Sequence, residues 1–338
     1  MTSYYDNKVE QIKDIFGTTD VDIRSDRIIV DNKEYVVEDD VIILLDPAQY
    51  PPALRQRLQS DTSASGENEE FAPDIQSTFG EEWQTFPEIM PEHETEFQQY
   101  FDIVDTESLK EKRICDMGCG IGRWSSFLHK DAREIVLVDF SEAIFVARKN
   151  LAGADNALFF MGDILQLPFR QNFADFLFCL GVAHHLPVGA MDAVTRLSRF
   201  APRRLIYLYS ALDGHPVHYR LMMIPVTVLR RLVCNIQSPL FRSIFTTLST
   251  FFLYLPLVGL GYLLHPFGLS RYVPLFSFYH GKSFQRLRQD AYDRFFTRIE
   301  QRVSRKEIKS FENEDQTVTI SPQVPMWHFL LESNSAAK

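Results

Sequence analysis

Apolar and polar positions alternate along this chain in two rhythms, and a third stretch follows neither. Residues 8–16 place Val9, Ile12, Ile15 and Phe16 on one side of a short amphipathic helix that Gly17 stops. The segments V-D-I-R, R-I-I-V, K-E-Y-V-V and the run 41–45 then read as short strands, with Asp31-Asn32 as a hairpin turn. From 113 onward the rhythm is strand then helix, at the spacing of an α/β fold. Strand 113–117 precedes helix 121–129, strand 134–140 precedes helix 141–151, and strands 157–162 and 174–180 follow. Helix 188–200 and strand 204–209 come next. Ser304 and Glu307 have capping-box spacing for a helix to 311, and 317–320 and 326–331 read as two closing antiparallel strands around S-P-Q-V-P.

Two stretches interrupt this pattern. Residues 60–75 are polar and acidic, the composition of a linker. The aromatic-rich helical segment 79–101 is expected to pack on the edge of the main domain rather than to touch a ligand. Between 243 and 270 there is no Asp, Glu, Lys or Arg, and Arg230, Arg231, Arg242 and Arg271 flank the apolar runs. About 20 apolar residues suffice to cross a bilayer, so length permits a span. Pro256, Gly259, Gly261 and the hydroxyl residues at 246, 247, 249 and 250 weaken that reading. A single crossing would also separate the closing strands from the sheet they must rejoin. The run is therefore expected to be either a buried helical cap or a hairpin in the lipid interface, where arginines suit anionic headgroups.

These patterns divide the chain into a small β-rich N-terminal domain over 1–55, an acidic linker and approach helix over 56–100, and an α/β domain over 101–338. The last carries an α-helical insertion at 211–290, after its fifth strand. The length of 338 residues suits two domains, and 45% hydrophobic with 24% charged residues is ordinary for a soluble globular chain. A formal net charge of −10 argues against a nucleic-acid partner, because phosphate binding needs a basic face. Acids crowd the first two hundred positions, whereas basic residues dominate between 203 and 309. Cys115, Cys119, Cys179 and Cys234 show no C-x-x-C pairing, and the start M-T-S-Y-Y-D-N-K-V-E lacks an apolar core for a signal peptide. The expected location is cytoplasmic; if the run lies in the lipid interface rather than in a buried cap, the chain is peripheral on the inner face of the membrane through 221–270.

The chemistry begins at 113–124, R-I-C-D-M-G-C-G-I-G-R-W. A strand breaking into alternate glycines before a helix lets a nucleotide-like ligand approach backbone N–H groups. The loop is not the G-x-G-x-x-G of dinucleotide sites, and Asp116 stands two residues before its first glycine. The second strand ends in L-V-D-F-S, placing Asp139 where a carboxylate grips ribose hydroxyls. The third ends in M-G-D-I, where Asp163 is placed to read an adenine amino group. The fourth ends in L-G-V-A-H-H-L-P.

In order and spacing this series resembles the class I S-adenosylmethionine-dependent methyltransferases, over about 110–210 with the final strands included. The resemblance implies a Rossmann-like seven-stranded sheet with helices on both faces. It implies S-adenosyl-L-methionine as cofactor, held by Asp116, Gly118, Cys119, Gly120, Gly122, Asp139, Phe140, Asp163, Ile164 and Leu180. Asp116 would organise the loop and the methionine amino group, Asp139 the ribose, and Asp163 with Ile164 the adenine. The N-terminal strands, ending K-E-Y-V-V-E-D-D-V-I-I-L-L, resemble the zinc-ribbon-like domain of tRNA-methyltransferase activator proteins, without that family's metal cysteines.

Methyl transfer needs alignment above all, and a hydroxyl acceptor also needs a base. His184 and His185 are the candidates for that base, with His215, His218 and His280 as alternatives. The Asn-Pro-Pro-Tyr signature of amino-group methyltransferases does not follow strand four, which tilts the reading away from N-methylation of DNA or glutamine. The expected acceptor is an oxygen nucleophile on an amphiphilic or lipid-linked small molecule, such as a glycolipid, lipid-linked glycan or quinone-like precursor. Residues 292–300 combine aromatic and charged side chains, suiting either an acceptor headgroup or helix packing. Two alternatives stand beside this: a cofactor-binding module that docks a partner protein through the apolar cap, and a methyltransferase of a soluble metabolite.

Overall fold

The computed structural model describes residues 3–60, 70–213, 217–274, 276–322 and 326–334. The polar stretch 61–69, His215 and the side chain of His218 lie outside them. The chain forms two compact units, one of residues 1–210 with 301–338 and the other of residues 211–300.

Helix α1 (Val9–Phe16) ends at Gly17, whose left-handed backbone lets its N–H donate to the Lys13 carbonyl. Strands β1 (Val21–Ile23), β2 (Arg27–Val30), β3 (Lys33–Glu38) and β4 (Val41–Ile43) follow as an antiparallel meander. Asp31 and Asn32 both have φ > 0, as do Asp39 and Asp40 at the next turn. Two residues at positive φ make the tight turn whose twist matches its flanking strands, and short polar side chains tolerate that conformation.

The meander is not a separate domain. Its β4 pairs in parallel with β7 (Ala157–Met161), so the strands extend the main sheet. Arg113, buried at the start of β5 (Arg113–Met117), binds Asp14 of α1 and, at 2.6 Å, Glu134 of β6 (Glu134–Asp139). The division at residue 55 and the zinc-ribbon resemblance are therefore corrected. The segment has no cysteine, and pairing and apolar packing on the sheet hold it. Among the described residues no cluster suits a metal ion.

The sheet accordingly has eleven strands rather than seven, in the order β1-β2-β3-β4-β7-β6-β5-β8-β9-β11-β10. Here β8 is Phe176–Leu180, β9 Arg203–Leu208, β10 Gln316–Ile320 and β11 Trp327–Ser333. The central strands are buried on both faces, hence their apolar runs. Pleating sends Val136 and Val138 to one side with α1 and helix Ala190–Leu197, and Ile135 and Leu137 to the other with helix Ala143–Asn150. Parallel neighbours flank β5 on both sides, so the chain switches direction there and a crevice opens beyond the strand ends. The helix expected at 121–129 is only Ser125–Leu128, because left-handed glycines carry the loop further.

The second unit is helical and reaches residue 300 rather than 290. It comprises Val217–Val233, then Pro239–Ser249, a π-turn Thr250–Tyr254 and Leu255–Leu264 in continuous helix, and later Phe276–Tyr279 and Phe284–Phe296. The wide turn precedes Pro256, which has no N–H to give. Of the segment 292–300, Tyr292, Phe295 and Phe296 are buried by packing, with the rings of Phe295 and Phe245 5.2 Å apart.

Candidate active site

A pocket lies at the carboxyl ends of β5, β6, β7 and β8, within the first unit. Of the ten residues expected at the cofactor, Gly118, Cys119, Gly120, Asp139, Phe140, Asp163, Ile164 and Leu180 line it. Asp116 and Gly122 stand behind the wall.

The loop is built from the strand ends upward. The N–H groups of Gly118 and Cys119 both donate to the Val138 carbonyl, at 2.8 and 3.0 Å. That clamps the loop to β6 and turns it across the pocket mouth. Gly118 has φ +76°, and a Cβ there would stand 2.3 Å from Val182 Cγ2, so glycine is required for both reasons. The Gly120 N–H donates to Asp139 Oδ2 at 2.9 Å. Asp139 Oδ1 accepts from the N–H and the hydroxyl of Ser141, at 2.8 and 2.6 Å. A carboxylate has about four acceptor positions, so Oδ2 keeps one open for a ligand hydroxyl.

Asp163 Oδ1 accepts from the Leu165 N–H at 2.9 Å. Its Oδ2 is buried with no hydrogen-bond partner, an acceptor that an amino group entering the pocket would satisfy. Behind the loop, Asp116 Oδ2 accepts from the Ser125 hydroxyl at 2.7 Å. Burial pushes the Asp116 carboxyl up to about 8, against the pull of the Ser125 hydroxyl and with a further push from Asp139. Burial also raises Asp139, opposed by the Ser141 and Gly120 donors, and raises Asp163, opposed by the Leu165 N–H.

None of these three acids forms an ion pair among the described residues. The site therefore concentrates carboxyl groups that burial penalises, and a cationic ligand would relieve that penalty. An anionic pyrophosphate would increase it. Arg123 is the one Arg or Lys lining the pocket, and it lies against the rings of Trp83 and Trp124 at 5.3 and 4.4 Å.

The two candidate bases are separated. The 3-10 turn Ala183–His185 presents His185 to the pocket beside Phe79, their rings 5.3 Å apart. It sends His184 inward, fully buried and stacked on Tyr209 at 4.0 Å, and burial holds its ring well below the usual histidine range. His184 is thus a packing residue rather than a pocket residue. Helix Pro73–Thr85 supplies a wall that the sequence pattern assigned to edge packing. Its Ile75, Phe79 and Trp83 line the pocket, and Gln76 Nε2 ties it to the Phe140 carbonyl at 2.6 Å. The signal was there in Ile75, Phe79 and Trp83 at helical spacing, one apolar stripe on an otherwise polar helix.

Residues 114–201 match the family described as "Methyltransferase domain". A curated relative, the 23S rRNA (uracil(1939)-C(5))-methyltransferase RlmD of Aeromonas salmonicida, is 29% identical over 104 residues. That match covers 29% of this chain and 23% of the relative, so the chain spans about a quarter of the relative's length. Among solved structures, the BH2331 protein of Bacillus halodurans is similar at 21% identity and a TM-score of 0.35, covering 40% of this chain and 59% of that one. The Haemonchus contortus phosphoethanolamine N-methyltransferase 1, in complex with phosphoethanolamine and S-adenosylhomocysteine, is similar at 19% identity and a TM-score of 0.34, covering 41% and 33%. The family match thus covers residues 114–201, the strands and loops that build the pocket.

Proposed function

We propose that the whole protein transfers a methyl group from S-adenosyl-L-methionine to an oxygen nucleophile of an amphiphilic or lipid-linked small molecule. The observation that carries the donor half is the trio Asp116, Asp139 and Asp163, buried and held by hydrogen bonds rather than ion pairs among the described residues. The donor is cationic at its sulfonium and its amino group, which suits this pocket as a dinucleotide does not. The open position on Asp139 Oδ2 suits a ribose hydroxyl, and the orphaned Asp163 Oδ2 suits the adenine amino group beside apolar Ile164. The amphiphilic half is supported by the uncharged stretch 243–270.

The donor supplies an electrophilic methyl on sulfur. The chain's part is to align the acceptor with the S–CH3 bond and keep water away, which the aromatic wall of Phe79, Trp83 and Trp124 does. His185, which lines the pocket, would take the proton that an acceptor hydroxyl loses. Labelled donor incubated with an organic-solvent extract of cells tests this, label being expected in the organic phase with release of S-adenosylhomocysteine. Label confined to water-soluble products would point to a soluble metabolite, and binding without turnover to a non-catalytic module. His185→Asn should lower kcat by about 100-fold or more while leaving donor affinity unchanged.

A further inference from the structure

The helical unit turns its apolar side chains outward. All the large hydrophobic side chains that are exposed among the described residues lie between Val217 and Phe284, none in the sheet-bearing unit. They fall in stripes at helical period: Leu221, Ile224, Val228 and Leu232 on one helix, and Leu240, Ile244, Leu248 and Phe252 on the next. The opposite stripe of that second helix is buried and polar, with Arg242, Thr246, Thr250 and Tyr254. Helix Phe284–Phe296 meets this stripe with its own polar groups. Arg242 donates to the Tyr292 hydroxyl at 2.9 Å, Arg294 to the Tyr254 hydroxyl at 3.1 Å, and Arg288 to the Ser243 hydroxyl at 2.9 Å. A soluble helical bundle has the reverse arrangement, apolar inside and polar outside.

We propose that residues 217–272 are a docking surface for a membrane leaflet with anionic headgroups. The continuous helix Pro239–Phe267 has a mean hydropathy of 1.6 and is the one helix, among the described residues, long and apolar enough to enter a bilayer. It does not cross one. The insertion leaves the sheet after Ser210 and returns at Val303, which bridge each other, and β9 before it pairs with β11 after it. Both ends of the insertion thus stand on the same side, which a single crossing by this helix would not allow. The helix lies in the interface plane instead, its leucines and phenylalanines among the acyl chains.

Charge decides the kind of surface. Residues 211–300 hold ten Arg and Lys against four Asp and Glu, a net charge of +6, which leaves −16 for the rest of the chain. Arg220, Arg231 and Arg271 are exposed beside the apolar stripes, as headgroup phosphates require. A protein partner would find the same apolar area; the exposed arginines beside the stripes suit the dense anionic charge of a leaflet. This docking does not depend on the proposed chemistry.

Flotation of the full chain with vesicles of phosphatidylcholine and phosphatidylglycerol tests the surface. Binding to the mixed vesicles is expected, weaker to phosphatidylcholine alone and weaker as salt rises. The exposed pair Phe252→Ser and Leu263→Ser should reduce binding by at least about tenfold. Donor affinity, measured by calorimetry on the same preparations, should stay unchanged, which verifies folding and separates this test from the methyltransferase reading. A chain that binds neither vesicle at low salt overturns the proposal. So does a dimer in light scattering that Phe252→Ser dissociates, because the stripes would then cover each other.

Discussion

In the sheet-bearing unit Leu137, Phe159 and Phe178 are fully buried, whereas in the helical unit Arg242 and Thr246 are buried and Leu240 and Phe252 exposed. The same elementary rule produces both. A side chain goes where its surroundings match it, and burial of apolar area from water builds the eleven-stranded sheet. In the insertion, hydrogen-bonded polar groups share the interior with Leu287, Phe295 and Phe296, while the apolar stripes face outward. Apolar content alone therefore does not report what a helix packs against. The distribution of polar residues around the helix does.

The contrast can be tested by substitution, beginning with the largest effect. Leu137→Ala in β6 should cost about 2–5 kcal/mol of stability through lost burial and a cavity, read as a shifted midpoint in urea unfolding. Phe252→Ser, at a residue 79% exposed, should change the same midpoint by no more than about 0.5 kcal/mol. Equal losses would abolish the distinction between the units. Asp139→Ala should weaken donor binding by about 1.5–3 kcal/mol through lost charge-assisted hydrogen bonds, and unchanged affinity in calorimetry would remove Asp139 from the donor site.

His328 sharpens the sheet side of the comparison. It is buried in β11 between Tyr100 and Tyr207, and burial holds its ring down at about 3, below the ordinary 6.5. The unfolded chain takes up a proton that the folded chain refuses. Stability is therefore fully present above about pH 6.5 and is lost as pH falls toward 3, by up to about 1.4 kcal/mol per pH unit. His328→Leu should flatten that slope, and parallel stability-against-pH curves for the two proteins would show that another group governs it. The smallest effect is expected at exposed Arg231. Arg231→Ala should leave stability unchanged and lower affinity for phosphatidylglycerol-containing vesicles by about 1 kcal/mol, roughly fivefold, as a vesicle titration would read.

Much of the sheet was legible because its strands are apolar runs bounded by Gly, Asp and Asn, a local signal. Asp139 and Asp163 were legible because each ends such a run. What a strand pairs with is not local, and so β1–β4 read as a domain when they are the edge of the sheet. The same limit applies to His184 and His185. Adjacent in sequence, they part because one turn points a ring into the pocket and the next into the core. Phe79 and Trp83 were visible as an apolar stripe, but only the contact of their helix with the Gly120 loop shows what the stripe faces.

The pairing of β9 with β11 has a consequence for biosynthesis. β9 leaves the ribosome with one edge unpaired, and its partner follows only after the whole insertion has been made. At typical translation rates of about 5–20 residues per second, the 118 residues between the end of β9 and the start of β11 keep that edge waiting roughly 6–24 s. The helices with outward-facing leucines are thus complete before the sheet can close, so the order of synthesis brings the greasy part of the protein into the cell ahead of the finished sheet.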